Sequence, residues 1–408
     1  MTTTPTAANT SPEELRNRMV DRIRQAGHAR DPRVEEAMRA VPRHAFVPDA
    51  DLEDAYANKA VITKRAEDGK ALSCASVPTV VAMMLDQLAV REGQSLLEIG
   101  AGTGYNAALL ALLASKGERV VTIDHDEEVT AGARKNLDAT GYHDVTVITR
   151  DGALGAPERA PYDGGIFTVG AWDLPWDLLN QFADGARLVV PLRWRGQTRS
   201  VAFVRDGNAW PSDSMELCGF VPMIGQEGEH TATLDEAGDV TLRWDADQDI
   251  APARLRGILD QPKTVAWSGT TLGSNESFDG VWLRLTATET GTCGIAATRA
   301  AVEAGICTPA TAVVQSPAIV DGDSLAYFTQ RRLESEIPRW EFGAIGQGPD
   351  GEHLAQRLCE RIREWGQDHE ARPAIMLHPT GTPATALPHG LRITKEHLLL
   401  TLSLPSGK

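Results

Sequence analysis

Glu98 stands two residues before the first of three glycines, at positions 100, 102 and 104, and two later apolar runs end at Asp124 and Asp151. Acids and bare backbone in that order suit the holding of a nucleoside-bearing cofactor. A side chain in the glycine turn would push such a ligand away, and the turn needs backbone angles that other residues avoid. An acid about twenty residues past the turn, at Asp124, accepts both hydroxyls of a ribose. An acid at a third strand end, Asp151, meets the amino group of an adenine. A glycine turn alone is a weak signal, since such turns also close ordinary strand–helix units. Glycine turn, acid and acid at three successive strand ends favour a cofactor site over three acids that merely cap strands.

The elements that must position these groups lie around them. Residues 96–99 form a short apolar strand, the turn follows at once, and residues 106–113 continue as a helix without proline. A helix N-terminus there offers free N–H groups and a favourable dipole. Residues 119–123 and 145–149 supply the second and third strands. Nicotinamide-binding turns read G-x-G-x-x-G, whereas E-x-G-x-G-x-G resembles motif I of the class I S-adenosyl-L-methionine (SAM)-dependent methyltransferases. The resemblance implies an α/β fold, a Rossmann-like doubly wound sheet, with SAM as cofactor, S-adenosyl-L-homocysteine as product and no metal. It implies cofactor contacts from Glu98, near the methionine amino group, from Gly100, Ala101, Gly102, Thr103 and Gly104, and from Asp124, Asp151 and Gly152.

Upstream, residues 11–40 read as two helices broken between Gly27 and Pro32. Ser11-Pro12-Glu13-Glu14 is a helix start, and Leu15, Met19 and Ile23, then Val34, Ala37 and Met38, give the two helices apolar faces. Next come Val41, Pro42, Arg43, Phe46, Val47 and Pro48, a V-P-R-x-x-F-V-P series, and Ala55-Tyr56. With Arg22, Arg24 and Gly27 ahead of it, this series resembles the N-terminal region of the protein-L-isoaspartate O-methyltransferase family. Ser76-Val77-Pro78-Thr79 is similar to that family's S-x-P-H, and Asp151-Gly152 with Ala160-Pro161-Tyr162-Asp163 to its D-G-x-x-G and A-P-Y-D. Ordered matches cover about residues 11–203. The resemblance implies that Ser76 and Thr79 hold a substrate carboxylate, with Ser73, Val77 and Pro78 beside them.

Methyl transfer from a sulfonium to a carboxylate needs no general base, because an aspartate with a reference pKa of about 3.9 is already ionised at about pH 7. Such a site needs hydrogen-bond donors, exclusion of water and a fixed angle of attack. Ser76, Thr79 and the N–H groups at the start of the following helix are the donors. Ser76 also suits a plain helix N-cap ahead of Pro78, the lesser of two compatible roles. Three departures from the family pattern fall where substrate would sit: Thr79 in place of histidine, a polar loop over residues 64–70, and Trp172 and Trp176 after the fourth strand. The tryptophans have equal claims as walls of a peptide groove and as core packing. Lys64, Arg65 and Lys70 fit a solvated face more readily than a carboxylate trap. His44, His125 and His143 lack metal-ligand spacing.

The chain of 408 residues is long for one domain. We read residues 1–12 as a disordered tail, 13–205 as the methyltransferase domain, 206–230 as a linker and 231–408 as a C-terminal α+β domain that recognises peptide. Strands are expected at 240–244, 264–267, 281–285, 325–328, 340–344 and 398–402, and the strongest helix at 351–365, with Leu354, Leu358, Ile362 and Trp365 on one face. Trp244, Trp267, Trp282 and Trp340 are expected in the core. A net charge of −16 argues against a nucleic-acid partner. No apolar run is long enough to span a membrane. Five widely spaced cysteines fit neither a disulfide framework nor a zinc knuckle, and a reducing cytoplasm is the expected location.

The two-part layout resembles the isoaspartyl-methyltransferase-like enzymes of ribosomally made peptide clusters (lanthipeptides, graspetides, lasso peptides). That resemblance implies methylation of an aspartate side chain in a constrained, modified precursor peptide, the ester then closing to a succinimide and opening to isoaspartate. The alternatives are a repair enzyme acting on isoaspartyl residues in proteins and an inactive SAM-binding scaffold.

Overall fold

The computed structural model describes residues 10–405 apart from 227 and 312. The chain divides into two compact units, one comprising residues up to Leu192 with Thr198–Gln226, the other Arg193–Gln197 with the residues after Gln226. Each is described by itself.

The first unit opens on Pro12–Gln25 (α1) and Pro32–Ala40 (α2). The Ser11 hydroxyl accepts from the Glu14 N–H at 3.2 Å and the Glu14 carboxylate from the Ser11 N–H at 3.1 Å, a reciprocal cap that satisfies donors the helix cannot. Ser11 and Pro12 therefore start α1 and are not part of a disordered tail; residues 1–9 of that expected tail lie outside the described residues. After Leu52–Tyr56 (α3) come Val61–Arg65 (β1) and Ala71–Ala75 (β2), paired antiparallel as a separate two-stranded sheet. The polar loop expected over 64–70 is thus the tip of a hairpin. Its charges hid two strands, and Gly69 at φ +83° makes the turn.

Pro78–Leu88 (α4) leads into Leu96–Ile99 (β3), Tyr105–Ala114 (α5), Val120–Asp124 (β4), Glu127–Ala139 (α6), Thr146–Thr149 (β5) and Tyr162–Phe167 (β6). Trp176–Leu179 (α7), Phe182–Trp194 (β7), Gln197–Val204 (β8) and Trp210–Leu217 (β9) follow. Sheet order is β9-β8-β7-β6-β3-β4-β5, with β3 to β7 parallel and β8–β9 antiparallel. The chain winds outward from β3 through β4 to β5, then returns to place β6 on the other side of β3. That reversal is the switch point at which open α/β sheets bind ligands, beyond the carboxyl ends of their strands. β3 is buried throughout and α5 is buried on nearly every side, so the glycine turn between them hangs from a rigid core.

Residues 206–230, expected as a linker, instead contain β9 and a segment bound to the sheet's end. The Gly170 N–H donates to Val221 O at 2.8 Å and the Met223 N–H to Gly170 O at 2.9 Å. Glycine and proline punctuation masked a strand whose partner, β8, is contributed from just upstream.

The second unit contains Glu229–Thr233 (β10), Val240–Asp245 (β11), Thr264–Gly273 (β12), Asp279–Thr288 (α8), Thr292–Ala297 (β13) and Arg299–Glu303 (α9). It continues with Ser316–Asp321 (β14), Ser324–Arg332 (β15), Arg339–Gln347 (β16), Gly351–Gln367 (α10), Ala374–Pro379 (β17), Leu391–Thr394 (β18) and Leu398–Ser403 (β19). One antiparallel sheet runs β10-β11-β13-β14-β15-β16-β12, and β18, β19 and β17 pair in that order. Leu354, Leu358, Ile362 and Trp365 of α10 are buried with Phe328 and Phe342 of the sheet. The expected strand at 281–285 is α8: a short apolar run carries no period, and Gly280 admits the Trp365 indole where a Cβ would lie 2.4 Å from Nε1. Trp244 is buried, whereas Trp267, Trp282 and Trp340 are only half-buried, which corrects their assignment to the core. Arg331 lies over the Trp267 ring at 4.2 Å. Among the described residues no helix is long and apolar enough to cross a membrane.

Candidate active site

The turn between β3 and α5 bends through Gly100, Gly102 and Gly104 at φ +99°, +49° and +86°. At Gly100 the requirement is steric as well as conformational: a Cβ would lie 2.3 Å from Thr168 Oγ1. Thr168, at the end of β6, donates its hydroxyl to Gly100 O at 2.5 Å and so ties the two sides of the switch point together. Gly104 is the residue before α5, and a Cβ there would press at 3.1 Å on Ala133 O and Leu137 of α6.

Two cavities meet at Gly100, which lines both. One is lined by Asp124, Asp151 and Gly152 with Ile99, Ile123 and His125, and on its other wall by residues 221–224. The other is lined by Glu98, Ala101, Gly102, Thr103, Tyr105 and Asn106, together with Cys74, Ala75, Ser76, Thr168 and Phe220. Asp124 Oδ2 accepts the Gly102 N–H at 3.3 Å, so the second strand end fixes the first turn. Asp151 Oδ1 accepts the Ala153 N–H at 2.9 Å.

Glu98 is fully buried. Asn106 Nδ2 donates to its Oε1 at 2.8 Å and Thr122 Oγ1 to its Oε2 at 2.6 Å. Burial pushes its pKa up to about 7, against the lowering effect of those two donors. A carboxylate held this way beside a glycine turn, with two further acids at the adjoining cavity, is a set of acceptors chemically matched to the amino and hydroxyl groups of SAM. Among the described residues no group of three or more His, Cys, Asp or Glu side chains is placed to hold a metal.

Ser76 lies at the inner cavity, half-buried, between β2 and α4. It does not cap the helix. The residue before α4 is Val77, whose side chain offers no cap; Pro78 lacks an N–H, and the Asn58 side chain accepts the next one. Asn58 Oδ1 accepts the Thr79 N–H at 3.2 Å and the Thr79 hydroxyl at 2.7 Å. Thr79 is thereby committed to a protein partner, and with Val77 and Pro78 it lies outside the lining of either cavity.

Ser73 lines a third cavity of about 460 Å3, between β1 and α6, which reaches Gly102 and Thr103. Lys64 pairs with Asp126 at 2.7 Å and Glu128 at 2.6 Å. Trp172 is buried and Trp176 begins α7, and neither lines any of the three cavities; of the two expected roles, the peptide-groove wall is not supported. Residues 220–224 fall within the expected linker, yet they line two of these cavities. Their signal is the apolar run Phe220-Val221-Pro222-Met223-Ile224 between Gly219 and Gly225.

Comparison with known proteins identifies a family. The family described as protein-L-isoaspartate(D-aspartate) O-methyltransferase (PCMT) matches residues 14–228. The chain is 43% identical over 214 residues to a protein-L-isoaspartate O-methyltransferase of Methanoregula boonei, covering 52% of this chain and 94% of that one. It is 40% identical over 217 residues to that of Methanopyrus kandleri, covering 52% and 92%. A solved protein-L-isoaspartate O-methyltransferase aligns at 17% identity and a TM-score of 0.48, over 88% of this chain and 96% of that one. A Plasmodium falciparum PCMT structure with S-adenosyl-L-homocysteine aligns at 16% and 0.46, over 52% and 99%. With the family match spanning more than half of its length, the chain belongs to the PCMT family and is a SAM-dependent carboxyl O-methyltransferase.

Proposed function

We propose that this enzyme methylates the carboxylate of an isoaspartyl residue in a polypeptide, as the names of its relatives suggest. The observation that carries the reading is Ser76, a half-buried hydroxyl released from helix capping and lining the same cavity as Glu98 and the glycine turn. Bound SAM supplies an electrophilic methyl group, which an ionised carboxylate accepts with no proton to remove. The protein's own work is to donate to that carboxylate from Ser76, to hold the cofactor through Glu98, Asp124 and Asp151, and to exclude water behind Phe220. Histidine is missing from the described lining of the inner cavity, which suits an acceptor that needs no base. Mass spectrometry after incubation with SAM and a linear isoaspartyl peptide tests the reading: a methyl ester on that peptide supports it, and no ester ends it.

A second reading is favoured by the β1–β2 hairpin and by the Asn58–Thr79 clamp, both at positions where the family pattern is not kept. On it the acceptor is an ordinary aspartate in a constrained, ribosomally made precursor peptide, the ester closes to a succinimide that opens to isoaspartate, and the second unit recognises the peptide. A rigid substrate of that kind loses little entropy on binding. Methylation of a ring-closed aspartyl peptide, with the linear isoaspartyl peptide untouched, would select it.

A further inference from the structure

Arg43 is fully buried and no carboxylate answers it. Its Nε donates to Ala55 O at 2.9 Å and its Nη2 to Ala75 O at 3.2 Å and Ser76 O at 2.8 Å. Its Nη1 has no partner. Among the described residues no Asp or Glu comes within ion-pair distance of it. Its titratable neighbours are Tyr56, Cys74 and Tyr105, all normally uncharged, and the Tyr105 ring faces it at 5.1 Å. A desolvated charge is ordinarily paired, because carbonyl dipoles and a ring face only partly replace water. Three of the residues that touch Arg43, namely Ala75, Ser76 and Tyr105, line the inner cavity.

We propose that Arg43, which lies behind Ala75, Ser76 and Tyr105 and does not itself line the cavity, is the buried counter-charge for a carboxylate bound beside Ser76, so that the cavity takes an anion at its Ser76 end and a cation at its Glu98 end. The proposal rests on the carboxyl-transfer reading but not on which polypeptide is modified. Two carboxylates meet the description, that of the acceptor residue and that of the cofactor's amino-acid end. If the acceptor is the one held, the effect on rate is distinctive. The acceptor's charge disappears as the ester forms, so a fixed cation stabilises the bound reactant more than the transition state. Arg43 then lowers KM without raising kcat, unlike a residue that merely braces the Ser76 loop, whose loss would lower kcat.

The test compares wild type, Arg43→Gln and Arg43→Lys. It measures KM and kcat for an isoaspartyl peptide, or for the ringed aspartyl peptide if that is the substrate, and the Kd for S-adenosyl-L-homocysteine. We expect Arg43→Gln to raise one of the two affinity constants by about tenfold or more, with kcat within about twofold of wild type, and Arg43→Lys to recover most of the loss. A raised KM assigns the acceptor carboxylate, and a raised Kd the cofactor's. Unmoved KM and Kd, or a fall in kcat shared by both variants, overturns the proposal while leaving the activity of wild type intact. Should the variants not fold, wild type is titrated with the peptide and with its neutral carboxamide, and with S-adenosyl-L-homocysteine and its decarboxylated form. Equal affinity within both pairs overturns it, and a loss of about tenfold in either neutral form supports it.

Discussion

Asn58 Oδ1 accepts both the N–H and the hydroxyl of Thr79, so one exposed amide closes the start of α4. Thr79 is spoken for before any substrate arrives. Asn58→Ala and Thr79→Ala should each cost about 0.5–1.5 kcal/mol of stability, and the double variant no more than the larger single loss, because both remove one interaction. Urea unfolding of the four proteins checks this. Their kcat values should agree within about threefold; a loss of about a hundredfold in Thr79→Ala alone would return Thr79 to the chemistry.

Glu98 predicts a pH dependence. Its folded pKa of about 7 lies above the ordinary 4.5. Below about 7 it is protonated and offers no charge to the cofactor's amino group, so SAM affinity should weaken as pH falls, by up to about tenfold per pH unit. The linked stability has the opposite sense: the folded state holds this proton more tightly than the unfolded chain, so the contribution is full below about 4.5 and is lost as pH rises through about 7. Glu98→Gln should flatten both profiles. Calorimetric titration with S-adenosyl-L-homocysteine from pH 6 to pH 8 reads the first and urea unfolding the second.

Gly100→Ala should fail where Gly93→Ala does not. Both glycines have positive φ, but a Cβ at 100 would strike Thr168 Oγ1 at 2.3 Å, whereas nothing lies within 4 Å of one at 93. The first substitution should cost about 1–3 kcal/mol and weaken cofactor binding by about tenfold or more; the second should cost only backbone strain and leave the affinity unchanged. Thermal melts and a binding titration separate them.

Gln226 anchors the segment that lines the two cavities at the glycine turn. Its Oε1 accepts the N–H groups of Trp172 and Asp173 at 2.6 and 3.3 Å, and its Nε2 donates to Asp173 O at 2.7 Å. Gln226→Ala should cost about 1–3 kcal/mol and raise the KM for SAM more than it lowers kcat, since Phe220 to Ile224 would lose an anchor. Steady-state kinetics at saturating peptide would show it.

The glycine turn and the acids at the strand ends were legible in the sequence because their requirements are local. Gly100, Gly102 and Gly104 are dictated by the turn itself, and Asp124 and Asp151 by the ends of the next two strands. What escaped depended on partners distant in sequence. Asn58 lies 21 residues from Thr79, and no spacing rule joins them. The Trp172 and Trp176 positions invited a substrate role that the cavities do not support, since burial is decided by the whole sheet. Residues 281–285 could not declare themselves, because five apolar-rich residues fit strand and helix alike until Trp365 fills the space over Gly280.

Mass spectrometry of one matched peptide set tests methyl transfer from SAM to an isoaspartyl carboxylate. A linear isoaspartyl peptide, its ordinary aspartyl isomer and a ring-closed aspartyl peptide are incubated separately with SAM, with wild type and with Ser76→Ala. A methyl ester is expected on the isoaspartyl peptide and none on the linear aspartyl isomer, with a rate lower by about tenfold or more in Ser76→Ala and S-adenosyl-L-homocysteine binding retained. An ester confined to the ring-closed peptide would contradict the isoaspartyl reading in favour of peptide tailoring, and unchanged turnover in Ser76→Ala would remove Ser76 from the site.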